Sequence, residues 1–403
     1  MKQPTGFVDA QFPHFVCKLT RSLYGLKQAP RAWFSCFSSY LEELGFVSSM
    51  ADSSLFVYHS GTVLIYLLIY VDDILITGNN SSSIATLITQ LGKLFSKKDL
   101  GNLHYFLGIE VQRSTAGLSL TQSKYALDLL RRTDMLDAKP YATPAVSGKR
   151  LSIHDGDVLS DPTVFRSVVG ALQYLTITRP DIAFAVNQVC QFLHKPTTTH
   201  WVAVKRILRY IKKTHNHGLF YRPGSLNINA FSDADYAGDP DDRISTGGSC
   251  IYLGPNLISW SSKKQGGVSR SSTEAEYRQL AYTAATISWF RHLFKDLKLP
   301  LSCPTLWCDN ISALSLASNP VFHTRTRHVE VDYHYVREKV VRRELTVHYL
   351  CTTNMIADLF TKGLPSARFS SLVLKLPVCA RPVSLQGGDN SMEIDNGKSS
   401  IKD

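Results

Sequence analysis

The chain has 403 residues, with 44 Lys and Arg against 33 Asp and Glu, so its formal net charge at pH 7 is +11. This length predicts two to three domains, and a hydrophobic content of 44% excludes a disordered chain. With 24 Gly and 17 Pro, a collagen-like or low-complexity chain is also excluded. The positive charge fits a nucleic-acid partner or simply a solvated basic surface.

The cysteines and the apolar runs indicate the cellular compartment in which the chain resides. The eight cysteines contain no CxxC pair, which disfavours a disulfide scaffold and a zinc knuckle and predicts reduced thiols. The N-terminus lacks the apolar core of a secretion signal. The most apolar run, residues 62–76, contains two aspartates and is too short to span a bilayer. We expect no membrane partner and a cytoplasmic or nuclear location.

The first 122 residues show an α+β pattern. Residues 29–44 carry apolar side chains at helical spacing and precede Gly45, which predicts a helix that ends at this glycine. β-Rich runs at 55–59, 63–70 and 74–77 follow, then a helix at 81–95 and a hairpin formed by 105–112 and 118–121.

The middle of the chain is predicted to be mainly helical, and the last third to form a mixed sheet. The helices are expected at 124–132, 165–176, 182–193 and 201–214, with a Pro- and Ser-rich linker at 138–161. The later elements are strands at 227–232 and 247–260, a helix at 271–298, a strand at 304–308, a helix after Asn310 and a strand at 345–350. This order predicts a mixed sheet with helices on its faces.

Four acidic residues of the last third stand at element ends or on helices where the predicted topology brings them together: Asp233, Glu276, Asp309 and Asp358. Such a cluster is unfavourable unless cations neutralise it, which points to hard divalent ions with oxygen ligands. Two Mg²⁺ ions could then activate water at a phosphodiester. Spacing alone leaves ordinary surface carboxylates as the alternative.

Several strings around these acids resemble the ribonuclease H domain of copia-type retrotransposon polyproteins. They are FSDADYAGD at 231–239, ISWSSKKQ at 258–265, SSTEAEY at 271–277, CDN at 308–310, NPVFHTRTRH at 319–328 and ADLFTK at 357–362. Matched residue by residue, the four acids fall on that family's metal-binding carboxylates. The resemblance implies that Asp233 bridges two Mg²⁺, with Mn²⁺ as an alternative ion. Glu276 and Asp309 would complete one ion's shell and Asp358 the other's.

The same resemblance implies the reaction, which is hydrolysis of the RNA strand of an RNA–DNA hybrid. The 2′-hydroxyl is the group that distinguishes this strand from DNA. Asp235 and Glu274 each lie two residues from an assigned ligand. For both we expect a solvated or supporting position. On a helix Glu274 would be turned away from Glu276, whereas on a strand Asp235 would face the same side as Asp233.

A second acidic motif, Asp72-Asp73, lies in the apolar string IYVDDILITGN at 69–79. A hairpin tip with two carboxylates would present them to a metal-bound polyphosphate, and a plain acidic turn is the alternative. The string resembles the catalytic hairpin of copia-type reverse transcriptases. Two further strings agree, SLYGLKQAPRAW at 22–33 and YFLGIEV at 105–111, which are similar to the segments beside the nucleotide and the primer end.

Basic residues in three segments are candidates for nucleic-acid contact. The run KRILRYIKKT at 205–214 belongs to a segment that resembles the family's connection between polymerase and nuclease. Its basic side chains could contact phosphates, and a solvated helix face is the alternative. The candidates are Lys27, Gln28, Arg31, Lys205, Arg206, Arg209, Lys212, Lys213, Arg325 and Arg327.

In the family, the first catalytic aspartate of the polymerase lies upstream of a segment similar to MKQPTGF at 1–7. We therefore expect the fingers region and this aspartate to be missing, and the chain not to polymerise DNA unaided. Two-metal polymerisation needs carboxylates from both strands.

The resemblance runs from residue 1 to about residue 364 and implies a multidomain α+β and α/β chain. The expected parts are a partial reverse-transcriptase palm (1–122), a helical thumb or connection (123–226), a ribonuclease H-like mixed sheet (227–365) and a largely disordered tail (366–403). The implied partners are RNA–DNA hybrid, template–primer and other Pol-derived chains. The implied locations are cytoplasmic virus-like particles and the nucleus. The alternatives are a non-catalytic nucleic-acid-binding remnant and a relic without function.

Overall fold

The first part of the chain folds into an antiparallel sheet covered by helices. The structure is a computed structural model that describes residues 1–19, 25–95, 97–318 and 330–380. The first elements are α1 (Ala29–Glu43), β1 (Val47–Ser48), β2 (Leu55–Ser60), β3 (Val63–Tyr70), β4 (Asp73–Gly78) and α2 (Ser81–Leu94). The four strands are ordered β1-β2-β3-β4. Every second residue of β3 points inward, and Ile65, Leu67 and Ile69 pack with Phe37 and Leu41 of α1.

The middle of the chain adds four helices and a second sheet. Its elements are β5 (Tyr105–Phe106), β6 (Ile109–Ser114), β7 (Gly117–Thr121), α3 (Ser123–Arg132), α4 (Thr163–Leu175), α5 (Ala183–Cys190), α6 (Thr198–Lys213) and β8 (His217–Tyr221). The sequence did not indicate β8. This strand approaches β7 so closely that a Cβ on Gly218 would lie 2.1 Å from the carbonyl oxygen of Leu120. Glycine weakens the strand signal in the sequence but is what permits this pairing.

A mixed five-stranded sheet forms the last third, as predicted. Its elements are β9 (Ile228–Asp235), β10 (Thr246–Leu253), β11 (Asn256–Lys264), α7 (Ser272–Asp296), β12 (Thr305–Cys308), α8 (Ile311–Ser318), α9 (Glu330–Val341) and β13 (Thr346–Tyr349). The strand order is β11-β10-β9-β12-β13. The pairs β11–β10 and β10–β9 are antiparallel, whereas β9–β12 and β12–β13 are parallel. The predicted mixed sheet is therefore present, and the chain is a multidomain α+β and α/β protein.

Both faces of this mixed sheet are buried. On one face, Ala230 and Ile251 pack in a cluster with α7, α8 and α9. On the other face, Cys250 and Tyr252 join a cluster with α4, α5 and α6. Alternate residues of a strand point to opposite faces, so β10 serves both cores. The helical middle of the chain thus packs directly against the mixed sheet.

Part of the segment expected to be disordered is ordered. Residues 366–380 form α10 (Ser366–Val373) and β14 (Val378–Ala380). Phe369 and Leu372 are buried in the cluster that α4, α5 and α6 share with the mixed sheet. β14 pairs with β8 at the edge of the second sheet, which is ordered β14-β8-β7-β6-β5. The expectation of disorder thus fails for these residues, because helical spacing places two apolar side chains in the core. Residues 381–403 lie outside the described residues, and the domain boundaries stay a prediction.

In the ranges that the structure describes, no helix is both long and apolar enough to cross a bilayer.

Candidate active site

Two of the four predicted acids stand at neighbouring strand ends. Asp233 lies in the last half of β9, and Asp309 directly follows β12. β9 and β12 run parallel with Ser232 opposite Cys308, so Asp233 and Asp309 are the next residues in register. Parallel strands present their carboxyl ends at one edge of a sheet, which brings the two acids together. Asp233 is only 2% exposed.

Glu276 reaches the same edge from helix α7. Ser271 caps this helix, because its side-chain oxygen accepts a hydrogen bond from the backbone N–H of Glu274 at 3.1 Å. Glu276 lies in the second turn and is 7% exposed. Its Oε2 has no hydrogen-bond partner among the described residues. Burial, followed by the charges of Asp233 and Asp309, raises the pKa of Glu276 above its usual range.

Asp358 comes from a short 3₁₀ turn at Ile356–Phe360, which lies against β10. A Cβ on Gly248 would lie 2.6 Å from Cγ2 of Thr361 and 2.8 Å from Cβ of Phe360. Gly248 pairs with Asp233 across β10 and β9. Glycine at this position therefore lets the turn approach the strand that carries Asp233.

Cations and hydroxyls that the sequence did not indicate hold these acids. The Lys362 ammonium lies 2.8 Å from Oδ1 of Asp358 and 3.4 Å from Oδ2 of Asp233. Arg368 lies 2.6 Å from Oδ2 of Asp358. Lys362 stands four residues after Asp358, a spacing that could have pointed to it. Nothing local in the sequence marks Arg368 or Gly248, since both matter only through tertiary contacts.

Two threonine hydroxyls donate hydrogen bonds to the strand-end acids. Thr361 donates a short hydrogen bond to Oδ2 of Asp233. Thr352 donates to Oδ2 of Asp309 at 2.8 Å. Burial raises the pKa of Asp233 to about 6, although the Lys362 charge lowers it. The four acids thus gather at one edge with two cations, and Asp233 and Glu276 hold their protons more tightly than free carboxyls.

Cys308 lies beside the acids. Single ligand atoms of Glu276, Cys308 and Asp309 lie within 4.8 Å of one another, and this is the metal-competent group found among the described residues. Burial raises the pKa of Cys308 to about 12, so its thiol keeps its proton at neutral pH. Hard oxygen ligands therefore dominate the donor set, as a divalent ion such as Mg²⁺ prefers.

The two neighbouring acids take supporting positions. Arg150, in the segment after α3, lies 3.3 Å from Oδ1 of Asp235. Glu274 accepts a hydrogen bond from the backbone N–H of Arg270 at 2.9 Å and pairs with Arg278 at 2.7 Å. Glu274 therefore caps α7 instead of entering the cluster.

Asp72 and Asp73 lie at the tip of the β3–β4 hairpin and are exposed. Val71 has φ +52°, which is uncommon for a β-branched residue and is the kind of strain that collects at functional turns. Lys97 donates to the carbonyl oxygen of Asp72 at 2.9 Å and lies 4.7 Å from the ring of Trp33. The hairpin therefore presents both carboxylates to solvent beside α1.

The basic candidates of α6 divide into two groups. Arg206 and Arg209 lie over the ring of Tyr141, at 4.5 and 3.7 Å from its centroid. Arg206 also donates to the hydroxyl of Thr143 at 2.7 Å. These two arginines hold the 138–161 segment against the helix, whereas Lys205 and Lys213 are exposed. The run therefore does not form a single free basic face.

The other basic candidates are placed as follows. Lys27, Gln28 and Arg31 are exposed at the start of α1, and Lys212 is half-buried. Arg325 and Arg327 lie outside the described residues.

Comparison with known proteins gives one family model and several relatives. Residues 1–147 match the family described as "Reverse transcriptase (RNA-dependent DNA polymerase)". The chain is 49% identical over 389 residues to "Retrovirus-related Pol polyprotein from transposon RE2" of Arabidopsis thaliana, a match that covers 96% of this chain and 27% of the relative. The chain thus spans about a quarter of the length of that relative.

A shorter relative is matched over nearly its whole length. The chain is 34% identical over 291 residues to "Putative transposon Ty5-1 protein" of Saccharomyces cerevisiae, covering 71% of this chain and 94% of the relative. Among solved structures, LC11-RNase H1 isolated from compost matches with 16% identity and a TM-score of 0.27, over 37% of this chain and 99% of that one. At this TM-score the structural likeness supports no assignment by itself.

Proposed function

Because the chain belongs to the family of copia-type retrotransposon Pol polyproteins, we propose that its last third hydrolyses the RNA strand of RNA–DNA hybrids with Mg²⁺. The observation that carries this proposal is the gathering of four acids at one sheet edge, with Asp233 and Asp309 adjacent in register. Glu276 supports it, since its buried Oε2 has no partner among the described residues. A buried oxygen without a partner is unfavourable unless a ligand completes it.

The oxygen-rich donor set suits Mg²⁺, and ligand atoms of Glu276 and Asp309 already lie within 4.8 Å of each other. Asp233, Glu276 and Asp309 would hold one ion, and Asp233 with Asp358 would hold a second. When bound, Mg²⁺ lowers the pKa of water and neutralises negative charge on a phosphodiester. Mn²⁺, which accepts the same ligands, is the alternative ion.

The chain's own side chains orient these ligands. The Arg368 guanidinium contacts Oδ2 of Asp358. The hydroxyls of Thr361 and Thr352 do the same for Asp233 and Asp309. Such outer contacts fix ligand orientation and raise ligand affinity for the ion. Burial raises the pKa of Glu276, so its carboxyl loses a proton when it serves as a ligand.

The test is cleavage of a labelled RNA–DNA hybrid with Mg²⁺ by the whole chain and its Asp309→Asn variant. We expect the variant to lose at least about a hundredfold in rate, since even outer contacts of a metal ligand commonly contribute roughly ten- to a hundredfold. Asp235→Asn is the matched control, and it should keep most of the activity because Asp235 pairs with Arg150.

Equal cleavage by the wild type and Asp309→Asn contradicts this site. Hybrid binding that weakens steeply with salt, but without any cleavage, would instead favour the non-catalytic binding protein.

For the first 147 residues we propose a part in RNA-directed DNA synthesis that needs a further carboxylate. Within the described ranges, Asp72 and Asp73 are not joined by a third acidic, His or Cys ligand in a metal-competent group. Two-metal polymerisation needs more carboxylates than this pair supplies. We therefore expect no primer extension by the chain alone, and nucleotide incorporation in that assay contradicts the expectation.

The proposed partners are RNA–DNA hybrid, template–primer and other Pol-derived chains, in cytoplasmic virus-like particles or the nucleus. The exposed Lys205 and Lys213 of α6 and the exposed residues at the start of α1 are the proposed phosphate contacts.

A further inference from the structure

Lys362 occupies an unusual place in the acidic cluster. Its ammonium bridges Oδ1 of Asp358 and Oδ2 of Asp233, at 2.8 and 3.4 Å. The two carboxylates are almost fully buried, with side chains 2% and 3% exposed, whereas the lysine side chain is 39% exposed. The charged end of a half-exposed side chain therefore reaches into a buried acidic site from the solvent side.

Both carboxylates are anchored by groups other than Lys362. The second oxygen of Asp358 contacts Arg368 at 2.6 Å. Asp233 accepts the hydroxyl of Thr361 and lies on the central strand β9. The acids can therefore keep their places when the ammonium leaves, and a flexible four-carbon stem lets a lysine leave toward solvent.

From this geometry, and resting on the proposed function, we propose that Lys362 is a built-in counter-cation that a divalent ion must displace. A divalent ion shared by the same two oxygens would occupy the space that the ammonium fills, so the ion and the ammonium exclude each other. Lys362 thus neutralises the site while no divalent ion is present. Once displaced, its ammonium lies on the exposed side of the site, where it can contact the phosphates of a bound nucleic acid.

This exchange lowers the intrinsic affinity of the site for the ion. Binding of the ion replaces a charge-assisted contact, and such contacts are worth roughly ten- to a hundredfold in an equilibrium constant. It also couples the two ligands, because a phosphate that engages the freed ammonium favours the ion-bound state. Coupling of this kind is reciprocal, so the ion should equally strengthen nucleic-acid binding. Lys362 is thus a positioning residue that links ion occupancy to substrate.

The test measures Mn²⁺ binding to the metal-free whole chain by calorimetry, without nucleic acid. We expect Lys362→Gln to lower the Kd for Mn²⁺ about tenfold, since the competing contact is gone. Lys362→Arg keeps the charge and should stay near the wild type. The matched control is Arg150→Gln, which removes the positive charge that contacts Asp235, two residues along β9 from Asp233, and leaves the four acids unchanged.

Each alternative outcome is distinct. An unchanged or raised Kd in Lys362→Gln overturns the displacement, as does an equal gain in Arg150→Gln, which would reveal a general charge effect. If the wild type cleaves hybrid while Lys362→Gln binds Mn²⁺ no better, only this inference fails. If the wild type neither binds Mn²⁺ nor cleaves, the proposed function fails with it.

A second measurement on the wild type does not depend on how the variants fold. Amine-reactive labelling of Lys362, followed by mass spectrometry, should be faster with Mn²⁺ than without it, because the displaced ammonium is more exposed. Labelling of Lys213, which is already exposed, serves as the internal reference and should not change. Slower or equal labelling of Lys362 with Mn²⁺ overturns the proposal.

Discussion

At the scale of single residues, Glu276 shows how the site is held in an unfavourable state without a cation. It is buried beside Asp233 and Asp309, and burial is the largest cause of its raised pKa. The backbone N–H of Ala234 offsets this only in part. A carboxyl with a raised pKa binds a proton in the folded chain over a pH range where the unfolded chain has already lost it. Folding is therefore weakened as the pH rises above the ordinary pKa of glutamate.

The loss of folding stability with rising pH predicts the effect of Glu276→Gln. At pH 4 the carboxyl is largely protonated in both states, so the variant and the wild type should have similar free energies of unfolding. At pH 8, without divalent ions, the variant should be more stable by about 1 kcal/mol or more, because each pKa unit corresponds to ~1.4 kcal/mol. Urea unfolding at the two pH values measures this, and a gain that is equal at both contradicts the assignment.

Divalent ions should narrow this difference in stability between the variant and the wild type. Mg²⁺ should raise the melting temperature of the wild type, because a ligand that binds only the folded state stabilises it. Glu276→Gln lacks the carboxylate and should gain less.

At the scale of elements, a buried ion pair in the segment between α4 and α5 contacts the end of α6. Arg179 contacts both oxygens of Asp181 at 2.9 and 2.7 Å and donates to the carbonyl oxygen of Thr214 at 2.7 Å. Tyr210 donates its hydroxyl to Asp181 at 2.7 Å. Both charged side chains are almost fully buried, at 3% and 1% exposure. The network therefore fixes how the helices that cover the mixed sheet meet.

Asp181→Ala should be strongly destabilising, because it leaves the Arg179 charge buried without its partner. We expect the free energy of unfolding to fall by about 3–5 kcal/mol. The control Asp128→Ala removes an exposed pair with Arg131 and should change stability by about 1 kcal/mol or less. Urea unfolding measures the loss of stability in both variants. Similar small losses would show that the buried pair contributes little to the free energy of unfolding. The double variant Arg179→Met with Asp181→Leu should recover much of the loss.

At the scale of the whole molecule, the first sheet docks onto α7 of the mixed-sheet part. Asp296 at the end of α7 accepts hydrogen bonds from the hydroxyl of Ser49 and the backbone N–H groups of Met50 and Ala51, at 2.7, 2.9 and 3.2 Å. Trp289 of α7 donates to the carbonyl oxygen of Ala51 at 3.0 Å. One carboxylate thus gathers three donors from the loop between β1 and β2.

Asp296→Ala should release this loop. We expect hydrogen exchange at the amides of Met50 and Ala51 to become about tenfold faster, since a hydrogen bond to a charged group is worth roughly 1.5–3 kcal/mol. Asp296→Asn keeps an acceptor oxygen and should retain part of the protection. Unchanged exchange in Asp296→Ala would show that the two parts do not depend on this contact.

The sequence by itself predicted most of the element types and the acids of both candidate sites. Helical spacing at 29–44, the β-rich runs at 55–77 and the strings around Asp72, Asp233 and Asp358 are local patterns, so they could be recognised without a structure. The mixed sheet followed from the order of strands and helices. These features depend on residues close together in the chain.

Only the tertiary structure decided which side chains share a site and in what state. It placed the Lys362 ammonium between Asp233 and Asp358, and it turned Arg206 and Arg209 onto Tyr141 and away from a free basic face. The pairing of β14 with β8 likewise joins segments more than 150 residues apart. Strand register and side-chain direction are set by contacts between distant segments, and no local pattern of residues encodes them.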